Sequence, residues 1–285
     1  MEFTQEDITR TGFQLPAAPI DDWRDYDEHN PVPRYFDFDW LSARHPDLYH
    51  KFALTTVGLM NELNRLVDLA GAEVVEIGAG TGRAAIELAR KAERVVAIDA
   101  YESVVAFGRD MVRQAGLRNV SYTRGDRTNL PLPSNSFDAS ICAWAILNHL
   151  EAYRVLKPDG YLIELGPAPG ALCGELTATL ADVFPELITE IAPADRYDAN
   201  CPNSDSVIQD ATWNGLPVTP PTMLHDFTYI SDYGDYREAA AILGRLYGPP
   251  ARRYMIDRQQ SRLSWRLRIA VSRVRKCSAR ANRDQ

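Results

Sequence analysis

Glu76-Ile77-Gly78-Ala79-Gly80-Thr81-Gly82-Arg83 sets a carboxylate and three glycines within eight residues. Glycines at this spacing admit positive φ and let a bound molecule approach the backbone. Val74, Val75 and Ile77 predict a short apolar strand ahead of the turn, and Ala84 to Arg90 behind it has helical spacing. A strand, a glycine turn and a helix make half of a βαβ unit, whose helix start presents free amides to an anionic group. A dinucleotide fingerprint, G-x-G-x-x-G, is not met, because Arg83 stands where its last glycine belongs.

Other elements must hold that turn in place. Arg94 to Asp99 reads as a second strand ending in an acid, followed by a helix from Ser103 to Ala115 that Gly116 ends. A third strand spans Asn119 to Arg124, a fourth Ala139 to Trp144 and a fifth Tyr161 to Leu165, with Lys157-Pro158-Asp159-Gly160 as a turn before it. Alternating strands and helices with short connections imply a mostly parallel sheet. Pro46 to Ala70 carries apolar residues at helical spacing up to Gly71 and predicts one amphipathic helix. Beyond Pro167 a helix is expected over Leu172 to Phe184, then a proline-broken stretch to Pro221. A strand over Leu224 to Ile230, a helix over Tyr236 to Tyr247 and a closing strand over Leu263 to Val274 follow.

Further motifs stand in register with the glycine turn. They are Val95-Val96-Ala97-Ile98-Asp99, then Gly125-Asp126 with Leu130-Pro131-Leu132-Pro133 and Ser136-Phe137-Asp138, then Arg154-Val155-Leu156-Lys157-Pro158-Asp159-Gly160. Together the set resembles the class I S-adenosylmethionine (SAM)-dependent methyltransferases, of the ubiquinone/menaquinone branch that acts on small molecules. The resemblance is close over residues 74–166 and architectural elsewhere. It implies an α/β, Rossmann-like, doubly wound, mostly parallel seven-stranded sheet with an antiparallel last strand. It also implies SAM as cofactor and S-adenosylhomocysteine as product. The parts would be an N-terminal aromatic arm and cap helix (1–70), a SAM-binding core (71–166), a helix with a lid-like insertion after strand 5 (167–222), a completion of the sheet (223–276) and a tail (277–285).

Carried residue by residue, the cofactor would meet Glu76, Gly78, Ala79 and Gly80, then Asp99, Ala100 and Tyr101, then Asp126, Arg127 and Ala143. A carboxylate at a strand end, Asp99, can accept from both hydroxyls of a ribose; its ordinary alternative is to cap a turn. Asp126 would accept from the adenine amino group and Tyr101 would cover an adenine face, by analogy. Glu76 either orders the methionine end or is satisfied inside the turn. Asp138 is read as structural. Beyond the fourth strand, Trp144 could face a sulfonium or simply pack. His149 is the candidate general base, since imidazole titrates near neutrality, although a lone histidine is more often structural. The chain between Phe137 and Arg154 is shorter than in the resembled family, so the position of His149 rests on that alignment. Tyr35, Trp40, Tyr49, Trp144, Asn148 and Trp213 are the expected substrate-pocket residues, with packing on the sheet as the ordinary alternative.

Composition narrows the function classes. A net charge of −8 over 285 residues disfavours a nucleic-acid-binding protein. The basic residues from Arg252 to Arg268 still keep an RNA or protein acceptor as an alternative, besides a non-catalytic SAM- or adenosylhomocysteine-binding module. Four scattered cysteines without a C-x-x-C pair give neither a thiolate metal site nor a disulfide framework, so no metal is expected. No signal peptide or membrane-spanning run is read in the sequence, which predicts a cytoplasmic protein with a small-molecule acceptor.

Overall fold

In the computed structural model, the described residues are 38–145, 147–168, 170–171, 173–183, 223–274 and 276. The expectations for Tyr35, Trp213, the side chain of Trp40, the arm before residue 38 and the segment 184–222 lie outside them.

Runs of β-branched residues build the centre. β1 (Glu73–Ile77), β2 (Arg94–Asp99), β3 (Val120–Arg124), β4 (Phe137–Ala143), β5 (Leu156–Pro167), β6 (Met223–Asp232) and β7 (Arg262–Arg273) form one sheet in the order β3-β2-β1-β4-β5-β7-β6. Val74 pairs with Val95 and Ala139, and Val95 pairs with Val120, all in parallel. β7 runs antiparallel to both β5 and β6. Strands buried on both faces need no polar alternation, which is why β1 and β2 read as continuous apolar runs.

Helices cover both faces. α1 (Phe38–Arg44), α2 (Pro46–Leu54), α3 (Leu59–Leu66), α4 (Arg83–Leu88) and α5 (Glu102–Gln114) pack on one face with Val74, Ala97 and Ile141. α6 (His149–Val155) packs on the other with Val75, Ile77 and Ile98. α7 (Thr177–Ala181), α8 (Tyr236–Tyr247) and α9 (Pro249–Arg258) join the first face. The chain leaves β1 toward β2 on one side and returns to β4 on the other. Its carboxyl edge therefore has a crevice between β1 and β4, where open α/β sheets bind ligands.

The structure corrects several expectations. The helix expected from Pro46 to Ala70 is two helices, because Thr55 and Thr56 return their hydroxyls to the carbonyls of Phe52 and Ala53 and Gly58 takes φ 86°. Such back-bonding competes with the helix ladder. The segment Lys157–Gly160 lies within β5 as a bulge, between the pairs Phe137–Leu156 and Ala139–Tyr161, rather than before the strand. A 3₁₀ turn (Gly174–Leu176) and the short α7 stand where one longer helix was expected. α9 is not anticipated; Pro249 opens it, at a position where a missing N–H costs nothing. Asp138 accepts from the amide of Glu73 at 2.9 Å and from Lys157 Nζ at 3.0 Å, pinning β4 to its neighbours.

Candidate functional site

The glycine turn is tied directly to the end of the second strand. Gly78 and Gly80 take φ of 74° and 55°, which side-chain-bearing residues rarely adopt. The amides of Gly78 and Ala79 donate to Ile98 O at 2.9 and 3.0 Å. Gly80 N donates to Asp99 Oδ2 at 2.9 Å, and Tyr101 N donates to Oδ1 at 3.2 Å. Burial pushes the Asp99 carboxyl up, and those backbone donors pull it back. Backbone amides reach both oxygens, and a carboxylate has about four lone-pair sites, so Asp99 can still accept from a ligand. Tyr122, on β3, closes the turn from behind, donating its hydroxyl to Gly80 O.

Below the turn lies a buried charge cluster. Glu76 Oε2 has no hydrogen-bond partner among the described residues, and burial pushes this carboxyl up to about 8 against the pull of Arg83. Arg83 pairs with Glu87 at 3.1 Å. Glu87 in turn accepts the amides of Gly58 and Met60 at 3.1 and 3.2 Å, which caps α3.

α2 lies across the same turn. A Cβ on Gly80 would sit 3.0 Å from Tyr49 Cε1, so the tyrosine ring lies against the glycine backbone. Burial and the Asp99 charge push the Tyr49 hydroxyl up to about 12. The next residue, His50, holds Thr81 Oγ1 at 2.9 Å through Nδ1 and packs on Phe107, and burial pushes its imidazole down to about 4.

The far wall comes from the end of β4. Ala143 ends that strand and Trp144 takes φ 57°, a sparsely populated conformation for a bulky residue. Backbone strain of this kind gathers at functional sites. Ala145 stands against Gly78, where a Cβ on the glycine would collide with it. Asn148 caps α6 by accepting from Glu151 N at 3.1 Å. His149 is buried, with Nε2 3.4 Å from Glu164 Oε1 on β5.

Asp126 and Arg127 are exposed in the loop after β3. Gly125 N donates to Asp99 O at 2.9 Å and so fastens that loop to β2. Two donors from Thr128 hold the Asp126 carboxyl below the usual range. Ala100 O accepts from Arg124 Nε at 3.1 Å.

The structure thus brings Glu76, Gly78, Ala79, Gly80, Asp99, Tyr101 and Tyr49 around one turn. Ala143 and Trp144 stand on the neighbouring strand, and His149 packs toward β5. The donor set fits a nucleoside with a cationic end: a half-buried strand-end carboxylate, a backbone free of Cβ atoms and a partnerless buried carboxyl oxygen. Sequence reasoning missed Tyr122, His50, Thr81 and the Arg83–Glu87 pair. Only that last pair left a local signal, its spacing of four on a helix. Among the described residues no group of three or more His, Cys, Asp or Glu could hold a metal ion. No helix among them is long and apolar enough to cross a membrane.

A family profile described as a methyltransferase domain matches residues 74–160. The demethylmenaquinone methyltransferase of Clavibacter sepedonicus is 34% identical over 102 residues, covering 33% of this chain and 41% of that protein. The ubiquinone/menaquinone biosynthesis C-methyltransferase of Escherichia fergusonii is 33% identical over 106 residues, covering 33% and 42%. The crystal structure of the YcgJ protein of Bacillus subtilis superposes with a TM-score of 0.49 at 15% identity, over 76% of this chain and 98% of that one. The chain spans about two fifths of the length of these curated relatives.

Proposed function

We propose, for a chain whose residues 74–160 match a methyltransferase-domain profile, that it is a class I SAM-dependent methyltransferase similar to the ubiquinone/menaquinone enzymes and transfers a methyl group from SAM to an O or N atom of a small-molecule acceptor. The observation that carries this reading is the bond from Gly80 N to Asp99 Oδ2, which makes the glycine turn and the strand-end carboxylate one rigid cradle. Bound there, the cofactor supplies a methyl on a sulfonium with its leaving group built in. Asp99 would accept from the ribose hydroxyls, Tyr101 would cover the base and Asp126 its amino group. Ala100, Arg127 and Ala143 would line the same path, and Glu76 would face the methionine end.

This chain's own task is alignment and exclusion of water, and such positioning can supply about 7–11 kcal/mol of a barrier. Tyr49 and Trp144 would bound the acceptor pocket. His149 would take a proton at its imidazole if the acceptor arrives protonated. A second reading, transfer to carbon of a quinone-type ring, draws on the names of the two curated relatives.

The test is incubation with methyl-labelled SAM and separated small-molecule and macromolecular fractions of a cell extract, followed by mass spectrometry. Label in a small product is the expected result. Label in RNA or protein alone would replace the acceptor class, and no label in any fraction would leave a cofactor-binding module.

A further inference from the structure

At the amino ends of the parallel strands, opposite the glycine turn, a cleft of about 400 Å³ opens between the last turns of α5 and the first residues of β3. Arg109 and Arg113, one helical turn apart, line it together with Arg118, and no carboxylate does. In a chain of net charge −8, three guanidinium groups around one hollow run against the average. Val112, Leu117 and Val120 supply apolar wall, and Tyr122 lies at its inner end.

The C-terminus of α5 brings the negative end of its dipole to this cleft, partly answered by capping amides. Gly116 takes φ 67°, and the amides of Gly116 and Leu117 donate to the carbonyls of Arg113 and Val112 at 3.1 and 3.2 Å. Arg109 Nε donates to Tyr122 O at 3.1 Å, which fixes that guanidinium at the inner end. Its Nη1 meets Glu102 at 3.3 Å, and Arg113 meets Asp110 at 2.7 Å. Both pairs are solvent-exposed, hold their charges weakly and leave the guanidinium groups able to exchange partners. Arg118 is exposed and has no ion pair among the described residues.

We propose that this cleft binds a small organic anion, a phosphate or sulfate monoester with an apolar body, one per chain. The charged end meets the arginines in charge-assisted hydrogen bonds and the apolar body covers Val112 and Leu117. Tyr122 then gives the cleft a reach to the other edge of the sheet. The same side chain packs against Gly82 and Gly108 and donates to Gly80 O. An occupant therefore abuts the residue that holds the glycine turn.

The test is calorimetric titration of the full chain with phenyl phosphate, inorganic phosphate and a short single-stranded RNA oligomer. Phenyl phosphate should bind once per chain, about tenfold or more tighter than inorganic phosphate. The double variant Arg113→Gln, Arg118→Gln should weaken it by about tenfold or more. Both side chains are exposed, so circular dichroism should show the fold retained. Saturating S-adenosylhomocysteine should leave the stoichiometry of one phenyl phosphate per chain unchanged, which separates this site from the proposed cofactor cradle. The proposal is overturned by no binding to the natural chain, by equal affinity for inorganic phosphate, or by an unaltered double variant. Competition between phenyl phosphate and S-adenosylhomocysteine for one site, or tighter arginine-dependent binding of the RNA oligomer, would overturn it as well.

Discussion

Arg83 and Glu87 form a buried ion pair at 3.1 Å, with side-chain exposures of 9% and 2%. The pair joins two helices, because Glu87 also accepts the amides of Gly58 and Met60 at the start of α3. Glu87→Ala would strand a buried guanidinium and two amides, a loss of about 3–5 kcal/mol for a broken buried pair. Urea denaturation should show a much lower midpoint. Replacing both members, Arg83→Met with Glu87→Leu, should recover part of the loss, because the desolvation cost of the charges goes with them. A single variant as stable as the natural chain would mean that water answers Arg83.

The buried acids and His50 give stability opposite slopes with pH. Glu76 is raised from 4.5 to about 8, so its contribution is full below pH 4.5 and is lost as pH rises toward 8. His50 is lowered from 6.5 to about 4, so its contribution is full above pH 6.5 and is lost as pH falls toward 4. Asp99 is raised by burial and adds to the alkaline slope. Melting temperature against pH should fall toward both ends. Glu76→Gln should flatten the alkaline side, and His50→Gln the acid side. A profile that neither variant changes would show that both groups stay hydrated.

Asp159 occupies the left-handed region at φ 62°. For an L residue that conformation costs about 1–2 kcal/mol, partly relieved for aspartate. A glycine gives back some of the gain through its freer unfolded chain. Asp159→Gly should therefore stabilise the fold by a net of roughly 0.5–1 kcal/mol, read as a higher urea midpoint. A lower midpoint would mean that the carboxylate contributes more than the backbone strain costs.

Features written in contiguous residues were legible before the structure. The β1-turn-α4 unit, the acid closing β2 and the bounds of α8 all rest on local periodicity, glycine chemistry or a cap such as Asp235, which accepts from Arg237 N. Features set by partners far along the chain were not. The cap on α3 depends on Glu87, 29 residues beyond Gly58. The bond of Tyr122 to Gly80 spans 42 residues, and its only trace in the sequence is the glycine at position 108, where a Cβ would meet the ring within 2.6 Å. The contact between His149 and Glu164 arises only when β5 is laid beside β4. Side-chain position in space was thus the missing quantity, while residue chemistry and element type were already present.

Asp99→Ala tests the cradle itself. The substitution removes the acceptor of Gly80 N and Tyr101 N as well as the one proposed for the ribose. Hydrogen bonds to a charged group are worth about 1.5–3 kcal/mol, so SAM affinity by calorimetry should fall about tenfold or more. Asp99→Asn keeps one carbonyl acceptor and should lose less. Circular dichroism and the urea midpoint separate a lost ligand contact from a loosened turn, since only the second lowers the midpoint without ligand. An unchanged dissociation constant in a folded Asp99→Ala protein would place the nucleoside elsewhere, and the methyl-transfer reading would fall with it.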